Sequence, residues 1–133
     1  MDPRFISLFS VFNITFPSDK SLKHIYESIL LGHLQAFDES LSKVATKITQ
    51  GTLDLYKVIV NDLPPTPSKF HYIFNLRDLS RVAQGLLQTT PDRFSTVSSF
   101  VRVWRNECIR VFYDRLINET DKAQVEVMLF ILI

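Results

Sequence analysis

Glycine is scarce in this sequence: Gly32, Gly51 and Gly85 are the only three in 133 residues. A phosphate loop of the GxxxxGK[ST] kind needs closely spaced glycines, so the chain contains none. No nucleophile elbow is present either. Cysteine is scarcer still. The single Cys108 excludes an internal disulfide and fits a reducing compartment. Charge of neither sign dominates; the net value of +1 gives no bulk attraction to nucleic acid or to an acidic membrane. No segment has the layout of a signal peptide. The longest apolar run, VMLFILI from Val127 to Ile133, is far short of the ~20 residues that cross a bilayer. Such a run aggregates when exposed, so it is expected to be packed or to mark a truncation edge. His24, His33 and His71 with one cysteine make no metal-ligand spacing and are expected on the surface or partly packed.

What is present suffices for one domain. Hydrophobic residues are 46% and charged residues 22%, which suits a globular fold around one core. The expected fold class is mainly α: a small helical bundle preceded by a short orphan β-strand. That strand is FNITF, Phe12 to Phe16, which alternates and is β-branched or aromatic. It has no partner strand in the sequence, and a strand of this size does not stand alone.

Ser18 caps a helix over about Asp19–Gly32, with Leu22, Ile25, Tyr26, Ile29 and Leu30 at helical spacing. A second helix is expected over about Asp38–Asn61, until LPPTPSK imposes an extended loop. The third opens at FNLRDLSRVAQGLL, with Asn75 as cap and Asp78 completing a capping box. Gly85 inside it costs about 1 kcal/mol against alanine, so a close backbone contact is expected there. A fourth helix over about Pro91–Leu116 carries Val97, Phe100, Val101, Trp104, Cys108, Val111 and Phe112 on one stripe. Arg115 falls on the same stripe, as a snorkelling side chain near the helix end. The last stretch, Asp121–Ile133, reads as helix or strand, and its pattern does not decide.

Arg77 and Arg81 occupy the opening turns of the third helix. A helix N-terminus carries about half a positive charge and disfavours cations by roughly 0.3–1 kcal/mol. Two readings follow. Both side chains are solvated, with Arg81 pairing to Asp78. Alternatively, helix N–H groups and a bidentate guanidinium together form an anion site for phosphate. Arg102, Arg105, Arg110 and Arg115 point in different directions and make no nucleic-acid face. Trp104 is expected in the core.

LPPTPSKFHYIFNLRDLSRVAQGLL followed by VRVWRNECIRVFYDRL resembles dynein heavy chains of the axonemal type. The likeness is to the C-terminal part of the third AAA+ module of the motor ring. It divides the chain into residues 1–17, the end of a large α/β subdomain; residues 18–120, a helical lid; and residues 121–133, a divergent tail. The resemblance implies that Arg77 is a sensor 2 arginine contacting nucleotide phosphate. It implies that Arg4 is an arginine finger acting in trans, with Arg81 and Asp78 as support. The cofactor implied is ATP or ADP, with Mg only in the complete module. The implied partners are the neighbouring large subdomain and ring modules, other dynein chains and, through the complete motor, microtubules of the ciliary axoneme; nucleic acid and membrane are not among them. Where the family usually carries a histidine, this sequence has Asn106. No phosphate loop or Walker B acids lie within these residues, so the chain alone is expected not to hydrolyse ATP. The rival expectation is a stand-alone helical protein-interaction module with no nucleotide role.

Overall fold

A computed structural model describes residues 2–131. Six α-helices run in order: α1 (Pro3–Ile6), α2 (Asp19–Leu34), α3 (Glu39–Asp62), α4 (Leu76–Leu86), α5 (Val97–Cys108) and α6 (Glu119–Ile131). A π-helical segment, Ile109–Tyr113, continues α5. Among the described residues there is no strand.

The expected strand at Phe12–Phe16 is therefore corrected. The alternation is there, but no neighbouring strand is within the described residues to accept its N–H and C=O groups. Every residue from Asp2 to Phe16 is exposed, and Phe5 stacks only on Phe9, at 5.0 Å between ring centres.

α3 is the central rod and packs against α2, α4, α5 and α6. Its inner face is long because apolar residues recur at helical spacing through Gly51: Leu41, Ala45, Ile48, Leu55 and Ile59 are all buried. In α2 the buried residues are Leu22, Leu30 and Leu34; Ile25 and Ile29, expected on the same face, lie at an exposed edge. Trp104 sits in the core as expected, and its indole N–H donates to Thr52 Oγ1 at 2.8 Å. That bond satisfies the one polar atom that a buried tryptophan brings with it.

The fourth helix starts later than expected. Pro91–Arg93 form a turn, and α5 begins only at Val97, where the Thr96 side chain accepts from Ser99 N–H at 3.3 Å. Both Thr90 and Thr96 are competent caps; the second won because the apolar stripe starts beside it. At the C-terminus the undecided stretch is helical. α6 divides the apolar run: Val125 and Leu129 are buried, whereas Val127, Phe130 and Ile131 are exposed. Residues 132 and 133 of that run lie outside the described residues.

The proline-rich loop between α3 and α4 is tied down by a buried carboxylate. Asp121 accepts from Lys69 Nζ at 2.6 Å and from the Tyr72 hydroxyl at 3.0 Å. The same hydroxyl accepts the N–H of Ile117. These bonds deliver the chain to the start of α4 in a fixed direction.

Candidate functional site

The start of α4 is built from polar residues around one buried acid. Asn75 caps the helix: its Oδ1 accepts the Arg77 N–H at 2.9 Å, and Asp78 Oδ2 accepts the Asn75 N–H at 3.0 Å. This is the reciprocal capping box that the sequence announces. Asp78 is only 2% exposed. A carboxylate so buried requires partners, and it has two guanidinium groups. Arg115 Nη2 donates to Oδ1 at 2.8 Å and Nη1 to Oδ2 at 3.4 Å. Arg81 Nη1 reaches Oδ1 at 3.4 Å from a half-exposed position.

That arrangement explains why arginines sit at the positive end of a helix. The acid in the first turn favours the helix dipole and at the same time neutralises the neighbouring cations. From α2, the Tyr26 hydroxyl donates to the Leu76 carbonyl at 3.1 Å and meets Ser80 Oγ at 3.0 Å. Arg77 is the exception in the cluster. It is exposed, and no carboxylate among the described residues pairs with its guanidinium.

Residues 22–122 match the family described as dynein heavy chain, ATPase lid domain. The chain belongs to this family. It is 68% identical over 126 residues to dynein axonemal heavy chain 10 of Homo sapiens, covering 95% of this chain and 3% of that protein. It is 56% identical over 124 residues to the dynein-1-alpha heavy chain of the flagellar inner arm I1 complex of Chlamydomonas reinhardtii, covering 92% of this chain and 3% of that one. A ciliary dynein beta chain of Heliocidaris crassispina is 43% identical over 124 residues. The chain spans about 3% of the length of these relatives.

The lid brings three of the four sequence-chosen residues together: Arg77, Asp78 and Arg81 share the first turns of α4. Arg4 is not joined to them. It lies in α1, exposed, and no hydrogen bond or ion pair links it to the cluster. The nucleotide implied by the family finds one fitting group here. A free guanidinium suits a phosphate oxygen, but the N–H groups of Arg77 and Asp78 already belong to the Asn75 cap. Among the described residues, no cluster of His, Cys, Asp or Glu offers a metal site.

Arg115 and Tyr26 were missed as parts of this site. The expected place of Arg115 on the apolar stripe followed from a regular helix. The stripe runs on through Val111 and Phe112, both buried in the π-helical turns, and Arg115 stands in the turn beyond them, off the stripe. Gly85 was understood in kind but not in partner. A methyl group there would collide with the Glu107 side chain, with Cγ at 2.6 Å, rather than with backbone. Glu107 is held in place by Arg110 Nε at 3.0 Å and Nη2 at 2.6 Å.

Proposed function

We propose that this chain serves as the lid of a nucleotide-binding AAA+ module in an axonemal dynein heavy chain, the third module of the ring. In this reading Arg77 meets a phosphate of nucleotide held by the large subdomain. The bound nucleotide would supply the anionic charge; the lid supplies a guanidinium that rewards its presence. Closure of the lid then depends on whether that anion is there, and neighbouring ring modules feel the closure. Phosphate loop, metal ligands and attacking water would all come from the rest of the heavy chain. Arg4 would act in trans on a neighbouring module, and the apolar residues of 2–16 would pair with the sheet of the large subdomain. The setting is the cytoskeleton of the ciliary axoneme, with microtubules reached through the complete motor.

The observation that carries this reading is the contrast within one turn of helix. Asp78 engages Arg81 and Arg115, yet Arg77 beside it is exposed and unpaired. With both Asp78 oxygens already occupied, the Arg77 guanidinium stands available for an anion brought from outside the lid. In a complete heavy chain, Arg77→Ala is expected to weaken nucleotide affinity at this module about 10- to 100-fold, the loss of one charge-assisted hydrogen bond. It should also flatten the ATP dependence of microtubule gliding speed. An unchanged dependence, with unchanged affinity, refutes the phosphate contact.

The interaction-module alternative has the exposed apolar edge of α2, Ile25 and Ile29, in its favour. An in-frame exon encoding a phosphate loop upstream in the genomic locus decides against it.

A further inference from the structure

We infer that Arg115 is a positioning residue: it fixes the start of α4, and with it Arg77, from the end of the α5 rod. Its bearing on nucleotide rests on the reading of Arg77 given above.

The geometry begins in the π-helical segment. Asp114 N–H bonds to the Ile109 carbonyl at 3.0 Å, five residues back, so these turns are wider than α-helical ones. A regular helix at ~100° per residue would carry Arg115 onto the stripe of Trp104 and Cys108. The wider turns instead send Leu116 into the core, at 4% exposure, and leave Arg115 at its margin.

From there one planar group grips two pieces of chain. Arg115 Nη1 donates to the Ile73 carbonyl at 2.9 Å, ahead of the helix, while both Nη atoms address the Asp78 carboxylate inside it. The guanidinium carbon lies 5.1 Å from the centre of the Phe74 ring. The chain of bonds then runs on: Asp78 Oδ2 holds the Asn75 N–H, and Asn75 Oδ1 holds the Arg77 N–H. Leu76, the remaining residue, is held through its carbonyl by Tyr26.

Only arginine fits this duty. Its fixed fork satisfies a carbonyl and two carboxylate oxygens at once, whereas a lysine ammonium is a point charge on a flexible stem. Arg81 is no substitute, because it reaches a single oxygen at 3.4 Å with its side chain 52% exposed. The end of α5 and the place from which Arg77 projects are thereby tied together by one side chain.

The test has two arms. In the 133-residue chain, backbone amide exchange is followed at Asn75 and Arg77, with α3 amides as the internal standard. Arg115→Lys should speed exchange at both sites about tenfold relative to α3, and Arg81→Met should not. Uniform acceleration, or none, overturns the inference. Should Arg115→Lys fail to fold, Arg115→Gln keeps one donor for the Ile73 carbonyl but loses the fork on the carboxylate, and must show the same local acceleration. In the complete heavy chain, nucleotide affinity is measured for Arg115→Lys, Arg77→Ala and the pair. The double variant should bind no more weakly than Arg77→Ala alone; additive losses overturn positioning. If Arg77→Ala leaves affinity unchanged, the phosphate reading falls, and the exchange arm still decides the fate of Arg115.

Discussion

Ile14 is 91% exposed and Phe12 83%, while Phe100 and Phe112 are at 0% and Leu129 at 1%. The residue types are alike; their surroundings are not. In the bundle the buried helix faces meet on α3 and on one another, so each covers its neighbour. Residues 2–16 have no second surface among the described residues, so their apolar side chains stay in water. Burial is thus a property of pairs of elements. An apolar segment on its own states only that a partner is required.

That contrast can be broken at its strong end first. Trp104→Ala should lower the unfolding free energy of the chain by about 3–5 kcal/mol, because a large cavity opens. Thr52 Oγ1 would also lose the indole N–H that it accepts. Urea denaturation followed by circular dichroism measures this, and a loss below ~1 kcal/mol would mean that α3 and α5 are not packed as described.

A smaller effect comes from pH. Burial first, and the Glu107 carboxylate second, push the Cys108 thiol well above its ordinary value of 9.0. Burial likewise raises Tyr56 above 10.0, with Asp78 adding to it. In the unfolded chain the thiol ionises near its ordinary value, while in the folded chain it keeps its proton. The unfolded state then binds fewer protons, so stability is whole below about pH 8.5 and falls as pH rises, by up to ~1.4 kcal/mol per unit from the thiol. Cys108→Ala should remove most of that slope between pH 9 and 10; a slope of opposite sign would contradict the burial of the thiol. At the weak end, Phe12→Ser should change stability by less than ~0.5 kcal/mol in the same assay. A larger loss would show that residues 2–16 do find a partner surface in solution.

How much of this was legible beforehand differs from residue to residue. The Asn75–Asp78 capping box could be read from two letters three apart, since both bonds are local. The core place of Trp104 could be read from helical spacing. The pairing of Arg115 with Asp78 could not, as the two are 37 residues apart and meet only because π-helical turns rotate the chain end. Periodicity at a constant 100° is blind to such a turn. Similarly, Ile25 and Ile29 matched the helical spacing of α2, yet the breadth of the buried face depends on where α3 and α4 lie against it.

What the sequence alone determined was mostly local: the approximate extent of α2, α3 and α4, the caps of α2 and α4, the proline break, and a membership of the dynein lid family carried by a long contiguous motif. The helix extents, caps and break follow from near-neighbour sterics and hydrogen bonding; the family membership rests on the match of residues itself. Tertiary structure alone decided which carboxylate is buried, which guanidinium groups neutralise it, and that Arg77 is the one left free. Desolvation is the reason. A charge withdrawn from water must take the partners that the fold brings to it, whatever their distance along the chain.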